Sequence, residues 1–181
     1  EAVTEMRRRN SGGVGQVALV GVLAALSLAL LLLASFSPSG RMGIAAVAGL
    51  VNAAAVISGG LHSGFLCWAV AGILGLILSP DKGNILLYLV FFGLYPMVKS
   101  LIEQLHKAPL EWLCKLAFFN AVLTFCWFVL RDVLLAGLPA VFEQLWVLYL
   151  GGNIVFLIYD YGFSKLVMFY AARIDKAIRR R

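Results

Sequence analysis

The chain has 181 residues, 62% of them hydrophobic and only 13% charged, and its mean hydropathy is +0.93. A soluble domain carries about a quarter of its residues as charged side chains, so this composition excludes a water-exposed globule. The formal charge of +6 sits beside apolar runs, where basic residues meet anionic lipid headgroups or a cytoplasmic subunit rather than nucleic acid.

In chain order, residues 1–15 read as a cytoplasmic leader. Its Gly12-Gly13-Val14-Gly15 stretch lacks the Lys-Ser/Thr pair of a nucleotide loop. Residues 16–36 contain no charge and are long enough to cross a bilayer, which takes roughly 20 residues at about 1.5 Å rise each. Ser37-Pro38-Ser39-Gly40 ends that run, because proline cannot continue the helical ladder. Residues 42–57 form a short, Ala- and Gly-rich second run, and residues 65–79 a third, closed by the turn-forming Pro80-Asp81-Lys82-Gly83-Asn84.

The fourth run covers residues 85–102, with Pro96 expected to kink it. Lys99 and Glu103 follow at a spacing that suits a modest salt bridge. After a turn at residues 106–109, residues 112–130 form the fifth run and residues 141–159 the sixth. The basic segment 161–181 reads either as the last helix leaving the membrane or as an interfacial amphipathic helix. A competing parse splits residues 141–171 at Gly151-Gly152 into two short spans.

The expected architecture is therefore an all-α, multi-pass bundle of six transmembrane helices over residues 16–160, with both termini cytoplasmic. In that orientation only Arg41, Lys82 and Arg131 are basic residues on the outer side, in keeping with the positive-inside pattern. Cys67, Cys114 and Cys126 are scattered in or beside apolar runs and form neither a disulfide framework nor a CxxC site. HExxH and G-x-S-x-G are absent, and His62 and His106 are too few for a metal cluster. The residues thus suggest neither an enzyme nor a cofactor or metal site.

Polar groups inside hydrocarbon are costly unless paired, so the deep ones are candidates for function or for packing. Asn120 and Asn153 lie deep in helices five and six, while Glu143 and Arg131, with the aromatics Trp127, Trp146, Tyr149 and Tyr88, fall towards the outer side of helices four to six. They either line an outward pocket for a small organic molecule or form asparagine pairs and an aromatic interface belt. Asp160 is placed to pair with Lys99 or Lys165. On the first helix Gly21, Ala25 and Ala29 form a ridge of small residues, suited either to packing within the bundle or to docking a second membrane protein.

The AxxxA motif in Val22-Leu23-Ala24-Ala25-Leu26-Ser27-Leu28-Ala29-Leu30, within a chain of about six helices, resembles the substrate-binding S components of energy-coupling factor (ECF) vitamin transporters. The run FFGLYPMVKSLIE at residues 91–103 is also similar to a feature of uncharacterised bacterial membrane proteins. The ECF resemblance implies that the helix-one face docks on a transmembrane coupling subunit, that a pair of cytoplasmic ATPases supplies energy, and that a vitamin-like substrate is captured from outside a bacterial inner membrane. The alternative is a membrane scaffold that uses its small-residue faces for assembly alone.

Overall fold

The computed structural model describes residues 2–37, 40–132 and 144–178. Those residues are helical throughout apart from short connections: α1 (Ala2–Phe36), α2 (Arg41–Leu78), α3 (Lys82–Leu87), a π-helical turn (Tyr88–Phe92), α4 (Tyr95–Glu103), α5 (Ala108–Val129) and α6 (Leu145–Ile178). Five helical stretches are long and apolar enough to cross a membrane, with α3, the π turn and α4 forming one of them.

The second and third expected runs lie in one element. Straight, the 38 residues of α2 would extend about 57 Å at 1.5 Å per residue. Instead Arg41 at its start reaches Asp81 just beyond its end, at 3.5 Å. The chain reverses at Gly60, whose φ of 77° and ψ of −176° are not helical and lie in a region essentially reserved for glycine. Residues 41–59 then pack antiparallel on residues 61–78, with Ala48 and Ala71 in one core cluster and Ala55 and Cys67 in another. At the corner, a side chain on Gly59 would collide with Ser63, and one on Gly64 with Val56.

α1 seals this hairpin with Val20, Ala24, Ser27, Leu31 and Ala34, a three-and-four spacing that puts all five on one stripe. The Ser27 hydroxyl donates to the Ala48 carbonyl at 3.3 Å, and the Gln16 amide donates to Gly59 O at 3.1 Å. Alanines on both sides bring the backbones close, which is how helices associate when lipid gives no hydrophobic drive.

The next crossing is irregular for a stated reason. Pro96 sits in the first turn of α4; it has no N–H to offer Phe92 O, and its ring crowds that carbonyl. The preceding turn widens, so that Gly93 N donates to Tyr88 O at 2.7 Å and Leu89 O loses its usual helical donor. Trp68 Nε1 donates to Leu89 O at 3.0 Å, and Asn52 Nδ2 to Gly93 O at 2.6 Å. Both donors come from α2, one from each half, and they satisfy carbonyls that hydrocarbon would leave bare. Gly49 permits this contact, since a side chain there would strike the Phe92 backbone.

α6 runs without a break through Gly151 and Gly152 and continues to Ile178, so the basic tail is, as far as it is described, the end of the same helix. Likewise α1 begins at Ala2 and includes the glycine-rich segment of the leader.

Candidate functional site

α3 with its π turn, α5, α6 and the first half of α2 enclose a partly open cavity of about 380 Å³. Its walls are apolar and include Phe91, Phe119, Ala46 and Gly152, with the buried Phe156 behind Phe119. Phe119 and Phe156 stack with ring centroids 4.5 Å apart and planes 12° from parallel. Among the described residues, no charged side chain lines the cavity. Its accessible lining is almost wholly apolar. Tyr159 is among the lining residues, and its hydroxyl is buried without a hydrogen-bond partner among the described residues.

An aromatic layer floors this space. Phe91 lies 5.6 Å from Tyr95 and 5.9 Å from Tyr159, and Tyr95 stands edge-on to Phe156 at 5.5 Å. Edge-to-face and offset contacts of this kind add stability beyond the area they bury.

Beneath the layer is a ring of charges. Lys99 Nζ lies 2.5 Å from Asp160 Oδ1 and 2.9 Å from Glu103 Oε1; Lys115 Nζ lies 3.2 Å from the same Glu103 oxygen and 3.5 Å from Asp160 Oδ2. Each lysine therefore touches both carboxylates, and the ring is neutral overall. Lys99 also donates to Ser164 at 2.8 Å, and Tyr95 donates its hydroxyl to Asp160. With Lys99, Asp160 and Lys115 buried, the mutual contacts offset a desolvation penalty of several kcal/mol per ion. The ring ties α4, α5 and α6 together.

The residues singled out from sequence are distributed differently. Asn120 and Asn153 face each other across α5 and α6 with reciprocal bonds of 3.0 and 3.1 Å, and each also donates to a carbonyl four residues back in its own helix. Both hydrogens of each amide are thus committed. Tyr149 bonds Thr124 at 2.5 Å beside them. Trp127 is half-buried under Arg131, whose guanidinium lies 4.7 Å from the indole centroid. Trp146 is 69% exposed, as an interfacial aromatic would be. Tyr88 is fully buried against Leu31, Ala45 and Ala48. Glu143 lies outside the described residues. None of the seven described residues lines the cavity.

The cavity walls escaped sequence reading because Phe, Val, Leu and Gly look the same whether they face lipid or a pocket. The charge ring was partly visible: Lys99 pairs with Glu103 at the expected four-residue spacing, and Asp160 pairs with Lys99, one of its two expected partners, whereas Lys115 joins both carboxylates across separations that no local pattern reports.

The small residues of α1 take the outward face. Gly21, Ala25 and Ala29 are exposed, and nothing lies within 4 Å of where a side chain on Gly21 would begin. The intervening Ala24 and Ser27 are the buried ones. The bundle's own packing therefore leaves the ridge uncovered, bordered by the exposed Val22, Leu26 and Leu33.

The chain matches no protein-family model, no curated protein and no solved structure.

Proposed function

We propose that this chain is a six-crossing membrane subunit that captures a small, vitamin-like organic molecule from the outer side and passes it on with a partner energising module. The 380 Å³ cavity carries this reading. It falls within the range of small-molecule sites, and it lies towards the end of the bundle that holds Arg41 and Asp81. The reversal of α2 at Gly60 supports counting it as two crossings. Six crossings would put both termini on one side, which the distribution of basic residues favours as the cytoplasm.

In this reading the exposed Gly21/Ala25/Ala29 ridge docks on a transmembrane coupling subunit, with cytoplasmic ATPases behind it, as in the ECF S components the sequence resembles. No covalent step is assigned to the chain. The same exposed ridge favours a second reading, a scaffold that assembles through small-residue contacts and leaves the cavity to lipid.

Native mass spectrometry of the full chain, released from gentle detergent, separates the two. Capture predicts a retained small molecule that disappears when Ala46→Phe fills the cavity. A wild-type chain that carries only lipid, in the same amount as the Ala46→Phe variant, ends the capture reading.

A further inference from the structure

We propose that the chain contains a passage of its own, running from the cavity to a second space at the other end of the bundle, and that a septum of aromatic rings latched by Asp160 closes it. This goes beyond capture: a molecule would leave through the chain itself, between α4 and α6, and not by way of a partner.

The second space is an open groove of about 330 Å³. Ala53, Ile57, Lys99, Glu103, Phe163 and Val167 border it, and it reaches His106 in the α4–α5 connection. Its place follows from chain order. α2 lines the cavity with Met42 and Ala46, then the groove with Ala53 and Ile57. The next crossing gives Leu87 and Phe91 to the cavity, then Lys99 and Glu103 to the groove. α6 gives Leu148 and Gly152, then Phe163 and Val167. From Leu148 to Val167 the unbroken helix rises about 28 Å, close to the roughly 30 Å of a bilayer's hydrocarbon.

Little material separates the two spaces. Tyr159 borders the cavity and Phe163, one turn further along α6, borders the groove; their rings lie 5.6 Å apart. Tyr95, wholly buried, packs 5.7 Å from Tyr159 and 5.5 Å from Phe163. Tyr95 stands on α4 and the other two rings on α6, so the septum parts when those helices part.

Asp160 holds them together. It accepts from the Tyr95 hydroxyl and lies against Lys99 and Lys115. Withdrawal of α6 strips Asp160 of both lysines, whereas both lysines keep Glu103. The cost of opening therefore falls on one carboxylate, and a buried charge deprived of its partners is strongly unfavourable. Ionisable residues inside a membrane bundle commonly mark a pathway, and here they stand where two spaces nearly meet.

Thiol accessibility in sealed vesicles tests this without a known ligand. Reporter cysteines replace Ala46 in the cavity wall and Ser100 in the groove, one at a time, in a chain whose native thiols are replaced. A third chain keeps only Cys67, buried against α1. A membrane-impermeant methanethiosulfonate is added to the face that bears His106. Ser100→Cys should react in every background. Ala46→Cys should resist in the intact background. It should react faster by roughly tenfold or more after Asp160→Asn, which releases the latch without removing bulk, and after Phe163→Ala, which thins the septum. Cys67 should stay unreactive throughout.

An Ala46→Cys that resists from that face in both variants overturns the passage. Ready reaction of Ala46→Cys in the intact background overturns the septum, and reaction after Phe163→Ala but not after Asp160→Asn overturns the latch. Reaction that appears only together with Cys67 overturns the whole proposal, because the chain has then opened everywhere. Capture stands or falls separately, on the molecule retained in native mass spectrometry.

Discussion

Lys99 and Asp160, 61 positions apart in the chain, meet at 2.5 Å with both side chains only 4% exposed. A buried charge left without its partner is far more costly than a pair removed together. Asp160→Asn should therefore lower stability by roughly 3 kcal/mol, read as a fall in the detergent unfolding midpoint. Because Glu103 and Lys115 balance each other, the double variant Lys99→Met/Asp160→Leu should be less destabilised than Asp160→Asn alone. A double variant as unstable as the sum of its singles would mean that the ring is not one coupled unit.

The two faces of α1 make opposite predictions one residue apart. Ala24 is 2% exposed against the α2 hairpin, so Ala24→Leu should overpack the core and cost about 1–3 kcal/mol. Ala25→Leu, on the exposed ridge, should change the stability of the isolated chain by less than about 0.5 kcal/mol. Equal losses at the two positions, measured by thermal unfolding, would show that the ridge is packed inside.

Trp68 and Asn52 should matter for their N–H groups rather than for their bulk. Trp68→Phe keeps an aromatic ring but strips Leu89 O of its donor, and Asn52→Leu does the same to Gly93 O. Each should cost about 1–3 kcal/mol for the unmet carbonyl. Faster amide exchange near residues 89–97 would locate the damage, and unaltered exchange there would argue that the widened turn supports itself.

The six-crossing arrangement predicts sidedness. Single cysteines at Lys82 and His106, in a chain whose native thiols are replaced, should react with a membrane-impermeant maleimide from opposite faces of sealed vesicles. The end of α6, probed at Arg173, should share the face of His106. Labelling of residues 82 and 106 from the same side would remove the proposed topology.

Much of this fold was legible from apolar run length, because spanning a bilayer demands it. The boundaries at Pro38, Pro80 and Pro109 are written in residues that break or start helices. What escaped was the compactness of the second reversal: Ser58-Gly59-Gly60 reads as the start of a polar stretch, yet one glycine conformation turns the chain. The widened turn before Pro96 was anticipated only as a kink, since its relief depends on Trp68 and Asn52, which are distant in sequence.

The site was less legible than the bundle. In water, an inward-facing stripe contrasts with a polar surface. In lipid that contrast vanishes, and Phe119 on the cavity wall cannot be told in sequence from the exposed Phe125 and Phe128 of the same helix. Polar residues did draw attention, but Asn120 and Asn153 satisfied one another.

The reversal at Gly60 also bears on how the protein is made. With no loop between the halves of α2, neither half can be handed to the bilayer and left to wait for the other; the Asn52 and Trp68 side chains would face acyl chains alone. The pair should therefore enter the bilayer as a single hairpin, and an epitope tag that is harmless in an ordinary extramembrane connection should arrest biogenesis if inserted at residue 60.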